Sequence, residues 1–207
     1  MRTAHLSTLI AGLLLAPLAN AANLLVNGSF ENGLDGWTTT GNAAIRTANP
    51  LAFDGTNYVF GASTPLYSVS QVVDLLAGGV NAGAIDAGAL NLRFGGYQAG
   101  FSIQQDAGQI TVRLLDALGT PLAAVSTPSF FSNAIWTEQA GNTLLLPGTR
   151  SVSFEFVGTR ESGSNNDAYL DAAFVEVAHV PLPATLPLLA GALGVLAARR
   201  RRSPHTA

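Results

Sequence analysis

Three stretches of this chain alternate apolar and polar residues one for one. Leu90, Leu92 and Phe94 alternate with Asn91 and Arg93; Ile110, Val112 and Leu114 with Thr111 and Arg113; Val152, Phe154 and Phe156 with Ser153 and Glu155. A period of two is that of a strand with one face buried. On a helix the same pattern would scatter the apolar residues around the circumference and leave no face to pack. Turn-forming pairs lie between the runs, at Gly41-Asn42, Asp54-Gly55 and Pro147-Gly148. The stretch Leu76 to Ala89 is small and glycine-broken and predicts a loop, and no long amphipathic helix is visible. Short antiparallel strands joined by such turns predict an all-β fold, a β-sandwich or jelly roll.

The two ends read differently. Arg2 precedes an apolar run from Leu9 to Leu18, and Ala19-Asn20-Ala21 then puts small residues at Ala19 and Ala21, the −3 and −1 positions of a signal-peptidase site. Residues 1–21 therefore predict a signal peptide cleaved after Ala21, with an uncleaved anchor helix as the other reading. At the far end, Val180, Pro181, Leu182, Pro183 and Ala184 precede an apolar run to Ala198, followed by Arg199, Arg200, Arg201 and Arg202. From Val180 to Ala198 a helix would extend about 28 Å at ~1.5 Å per residue, just enough to cross a bilayer core. The arginines resist translocation and should stay cytoplasmic. The expected division is a signal peptide over 1–21, a β-sandwich ectodomain over 22–178 and a tail over 179–207, with its transmembrane part at about 182–198.

The order of proline motif, apolar helix and arginine cluster resembles the PEP-CTERM class of bacterial sorting tails. Residues 180–184 are similar to its VPLPA variant letter for letter. That resemblance implies an exosortase-type membrane protease as partner, cleavage near the motif, and transfer from a membrane anchor to the cell surface or an extracellular matrix. A plain anchor without processing is the alternative.

Charge and histidine placement exclude several functions. The chain has no cysteine, so disulfides, thiolate metal sites and cysteine nucleophiles are ruled out. Between residues 22 and 180 stand five arginines and all thirteen acids, a formal charge of −8. Such a domain repels phosphate backbones, so no nucleic-acid partner is expected. His5, His179 and His205 all fall outside the residues assigned to the sandwich. A serine triad would lack its base and a histidine zinc site its ligands. No enzyme activity is expected.

The sandwich carries a second resemblance. Asn23-Leu24-Leu25-Val26-Asn27-Gly28-Ser29-Phe30-Glu31, then Leu34-Asp35-Gly36-Trp37, resembles the opening of galactose-binding-like carbohydrate-binding modules. Residues 54–59 and 70–73 continue that pattern, and Trp136, Leu146 to Val152 and Asn166 to Asp171 are similar to its closing strands. The resemblance implies a jelly-roll sandwich with a structural calcium ion held between the first and last strands. The matching acids here are Glu31 and Asp171, with Asp54, Asn166 and Asp167 as further oxygen donors; solvated surface acids are the alternative reading. Sugar binding needs aromatic faces beside amide groups. Tyr97, Gln98 and Phe101, in the glycine-rich stretch 95–105, are the candidate platform, against an ordinary strand end. Trp37 and Trp136 read as core.

These readings predict an exported, surface-sorted, non-enzymatic β-sandwich that binds carbohydrate or matrix exopolysaccharide. The alternative is a structural or adhesive biofilm-matrix protein with no small ligand.

Overall fold

A computed structural model describes residues 22–131 and 133–180. The signal peptide with Ala19 and Ala21, the motif residues Pro181, Leu182, Pro183 and Ala184, the spanning segment and Arg199 to Arg202 lie outside the described residues. None of the described helices is long and apolar enough to cross a membrane.

Among the described residues the strands are β1 (Thr38–Thr40), β2 (Ala44–Arg46), β3 (Tyr58–Phe60), β4 (Leu66–Asp74), β5 (Leu90–Ala99), β6 (Ala107–Leu115), β7 (Pro121–Ser126), β8 (Phe130–Phe131), β9 (Thr137–Leu144), β10 (Ser151–Thr159) and β11 (Tyr169–His179), with one helix, α1 (Ala82–Asp86). They form two antiparallel sheets. Sheet A runs β1-β4-β10-β6-β7, with β8 also on β6, and sheet B runs β2-β3-β11-β5-β9. The all-β sandwich read from the alternation is the fold observed.

Alternation decides which residues go inside. Along β10, Val152, Phe154 and Phe156 are fully buried while Ser151, Ser153 and Glu155 keep solvent contact. Across the interior, Leu92 and Phe94 of β5 and Leu170 and Val175 of β11 complete the same core. Each fully buried phenylalanine contributes about 2–3 kcal/mol of hydrophobic free energy. Trp37 stacks on Phe30 at 5.1 Å between ring centroids and meets the edge of Phe154 at 5.8 Å. Its Nε1 donates to Asn27 O, so the indole nitrogen is satisfied on burial.

The opening segment lies along the last strand. Leu24 N donates to Val175 O, and Ala173 N to Gly28 O. Asn23 accepts from Leu25 N and Val175 N and donates to Ala173 O. The register of β11 against β5 shifts between Asp171 and Phe174. This bulge turns Ala173 N away from the ladder toward the opening segment, so the irregularity lets residues 23–28 lie against β11.

One expectation needs correcting. Within the stretch read as a loop, residues 82–86 form one turn of helix. Asn81 caps it, its Oδ1 accepting from Ala84 N, and Ile85 is fully buried beneath the sandwich end. A good cap and one apolar anchor outweigh the glycines when the segment is this short.

The packing predicts an asymmetric response to substitution. Phe154→Ala should cost about 3–5 kcal/mol of unfolding free energy in urea. Val72→Thr, on the outer face of sheet A, should cost less than about 0.5 kcal/mol. Equal losses at both positions would contradict the assignment of faces.

Candidate functional site

Residues opposite one another in sheet B share a face, so the pairs Arg46–Tyr58, Tyr169–Ala99 and Asp171–Tyr97 point outward from it. The segment between β2 and β3, residues 47–57, folds over this outer face. Tyr58 donates to Ala48 O at 2.7 Å and Trp136 Nε1 to Leu51 O at 2.7 Å. Tyr58, Ala99 and Tyr169 become a second small core beneath it, with Trp136 packed against them. Burial raises the Tyr58 hydroxyl to about 12 and that of Tyr169 further still, so both stay protonated donors.

Two carboxylates hold the covering segment. Asp171, fully buried, accepts from Phe53 N at 2.8 Å and Asp54 N at 3.0 Å through Oδ2, and from Ala172 N at 2.6 Å through Oδ1. Glu31 Oε1 accepts from Thr56 N at 2.8 Å and Asn57 N at 2.7 Å. Asp54 joins the group by accepting from the Ser29 hydroxyl at 2.6 Å. Burial raises the Asp171 carboxyl to about 6, against the three amide donors that favour its charged form, with the nearby Asp54 charge adding to the rise.

Glu31 and Asp171 therefore do bring distant segments together, as the calcium reading required, but the groups facing these oxygens are backbone N–H donors. A cation needs the same lone pairs and would require those amides to turn aside. Among the described residues, no three acidic, histidine or cysteine side chains are grouped to hold a metal ion. Asn166 and Asp167 serve other bonds. Asn166 Nδ2 donates to Gly158 O, and Asp167 faces the cleft described next.

Beside the covering segment a cleft of about 130 Å³ opens at this end of the sandwich, lined by Arg46, Phe101, Gln104, Ser164, Asn165 and Asp167. Three segments build it: the end of β2, the β5–β6 loop and the β10–β11 loop. Arg46 Nη1 lies 3.1 Å from Asp167 Oδ1 and 2.7 Å from the Tyr169 hydroxyl, which itself donates to Asp167 Oδ1 at 2.7 Å. The guanidinium also lies 5.3–5.6 Å from the ring centres of Phe60, Phe101 and Tyr169. Such stacking on aromatic faces fixes its plane.

Asp106, fully buried, sets the loop walls by accepting from Glu161 N and Ser162 N through Oδ1 and from Asp167 N through Oδ2. Arg160 Nη1 donates to Ser63 O and Ser164 O. Gln104 Oε1 is buried at the cleft with no hydrogen-bond partner. The site is thus pre-formed, near neutral because Arg46 and Asp167 offset each other, and supplied with amide and hydroxyl groups beside one aromatic face.

Of the three residues read as a platform, Phe101 lines this cleft and is 38% exposed. Tyr97 lies on the outer face of sheet B, stacked on Phe53 with ring centres 3.4 Å apart. Gln98 does not join them. It follows Tyr97 in the same strand and so points inward; it is 1% exposed, and its side chain is so near Gly108 that a Cβ there would stand 2.4 Å from its Oε1. Gln104 falls in the stretch 95–105 read as the platform, whereas sequence reasoning missed Arg46, Ser164 and Asn165. The one available signal was Arg46, an arginine isolated in an acidic domain.

No protein-family profile matches this chain, and none of the curated proteins matches it. Solved structures share the fold. The enzymatically active domain of tailspike protein 4 of bacteriophage CBA120 superposes with a TM-score of 0.56 at 14% identity, over 76% of this chain and 21% of that one. This chain thus spans about a fifth of the tailspike domain's length. A cyclase from Fischerella sp. TAU superposes at 0.54 and 12% identity, over 78% of this chain and all of that one. A Family 16 carbohydrate-binding module gives 0.50 at 22% identity, over 74% of this chain and 99% of that one.

The carboxylate clip yields a direct test. Asp171→Ala leaves three amide donors without their acceptor and should lower stability by about 3 kcal/mol. Hydrogen exchange at Phe53 and Asp54 should accelerate more than exchange in β10. Unchanged protection at those two amides would remove Asp171 from its role.

Proposed function

We propose that this chain is an exported, surface-sorted, non-enzymatic β-sandwich that binds carbohydrate, with matrix exopolysaccharide as its polymer. The observation that carries the reading is the Arg46–Phe101–Gln104–Asp167 cleft. It offers the part-exposed ring of Phe101 for a sugar ring and several amide and charged groups for hydroxyls, beside a loop fixed by the buried Asp106 carboxylate. Pre-formed concave sites with few polar groups suit small hydroxyl-rich ligands. The sandwich is shared with a carbohydrate-binding module, which supports the reading at the level of fold. The same fold also carries a cyclase and a tailspike's active domain, so the reading against catalysis rests on this chain's own residues. Asp167 is engaged by Arg46 and Tyr169, and no histidine lines the cleft.

Export belongs to the same proposal: signal peptidase acting after Ala21, an exosortase-type protease acting near Val180 to Ala184, and the membrane as a temporary anchor. The alternative reading, a structural or adhesive matrix protein, requires no ligand in the cleft.

Affinity electrophoresis through gels of neutral polysaccharides and of the producing cell's own exopolysaccharide tests the binding. Phe101→Ala and Gln104→Ala should each weaken retardation roughly tenfold in Kd, about 1.4 kcal/mol, and Thr111→Ala on sheet A should leave it unchanged. A chain retarded by no polysaccharide would leave the structural role standing.

Calcium is proposed on the family resemblance alone, with Glu31 and Asp171 as the residues that would hold it. If it binds, a chelator should lower Tm by several degrees, and Glu31→Ala should abolish that difference. An unchanged melt would leave these carboxylates as an amide clip and nothing more.

A further inference from the structure

The cleft lies at one end of the sandwich and the chain leaves from the other. Val180 N still donates to Ala89 O, beyond the last rung of β11, where His179 pairs with Leu90. Several turns meet at this exit end. Leu145 N donates to Leu90 O, Leu75 N to Arg150 O and Arg150 N to Leu115 O, which joins the turns after β4, β6 and β9 to the start of β5.

Their tips carry Leu76, Leu118 and Leu146, all exposed, with Leu118 at 91%, and Val180, bonded to Ala89 at the same end, is exposed as well. The charges of these turns are turned to local use. Asp74 accepts from Leu76 N and Ala77 N, Asp116 from Leu118 N and Thr120 N, and Asp86 pairs with Arg150. The exposed leucine tips stand at this end among charges that already have partners.

What covers them follows from the length of chain beyond. Val180 is both the last described residue and the first of the sorting motif. Even if the membrane segment starts as late as Leu186, six extended steps reach only about 20 Å. The exit end is thus confined near the bilayer for as long as the tail is anchored.

We propose that this end of the sandwich rests on the outer leaflet, with Leu76, Leu118 and Leu146 inserted among zwitterionic headgroups. This rests on the anchor reading of residues 180–202. The orientation follows: strands such as β10, nine residues long, hold the cleft about 30 Å from the leaflet, facing away from the cell.

The chain lacks cysteine, so single labels can be placed without a background variant. The full-length chain would be prepared as Leu118→Cys, Leu146→Cys and Ile103→Cys, each carrying an environment-sensitive fluorophore. Each would be reconstituted in phosphatidylcholine vesicles containing doxyl-labelled lipid. Ile103, 91% exposed in the β5–β6 loop beside the cleft, reports the far end.

Labels at 118 and 146 should be blue-shifted and quenched about twofold more than the label at 103, as expected for side chains entering the interface. Chain that floats with the vesicles but is quenched equally at all three positions overturns the contact and leaves the anchor intact. Chain that does not float overturns both. A blue shift at 118 without quenching by the lipid means that a second copy of the chain covers this end, which also overturns the leaflet contact.

Discussion

Carboxylates that accept backbone N–H groups hold the cleft end of this sandwich together. Asp106 takes three amides from the β10–β11 loop, Asp171 takes two from the segment over sheet B and one from its own strand, and Glu31 takes two more. A hydrogen bond to a charged acceptor contributes about 1.5–3 kcal/mol, more than a neutral one. The chain has no cysteine to close its loops covalently and no lysine to pair with surface acids. Its acids are used instead as fixed acceptors, which orders three loops at one end.

That device explains why the cleft is a cleft. Arg46 and Asp167 stand 121 positions apart in sequence and meet only because the β10–β11 loop is pinned by Asp106 while Tyr169, two residues on, is set into β11. The Tyr169 hydroxyl then bridges both charges. A loop free to move would let this ion pair dissolve into water, where such pairs contribute little. Held as it is, the pair keeps two polar groups aimed at the space beside Phe101 at little further entropic cost when a ligand arrives.

The fold was legible because burial in a sheet is written in every second residue. β5, β6 and β10 fall where the alternation lies, and β10 repeats it without a break. The site was legible only in part, and the same rule says why. Tyr97 and Gln98 are neighbours in a strand, so they cannot serve one face; their grouping with Phe101 neglected the period used to find the strand. Arg46 and Asn165 belong to segments with no pattern of their own, and their convergence with Gln104 of the glycine-rich stretch depends on strand order. Placing β2 beside β3 and β11 beside β5 is a long-range pairing that local periodicity does not encode. The family resemblance singled out Glu31 and Asp171 as calcium ligands between the first and last strands, whereas the backbone amides that they accept depend on directions that only the folded loop sets.

Binding and catalysis make opposite demands on the same acids. A general acid or base needs a lone pair or proton free to exchange with substrate at the cleft. Asp106 and Asp171 are fully buried and spend their oxygens on amides, and Asp167 is bonded to a guanidinium and a phenol. Protonating any of them would loosen the loop or ion pair that it maintains. The proposed role is built on this arrangement: Asp106, Asp167 and Asp171 are occupied in holding the loops and the ion pair that shape the cleft, which favours holding hydroxyl groups in place over moving protons through these three acids.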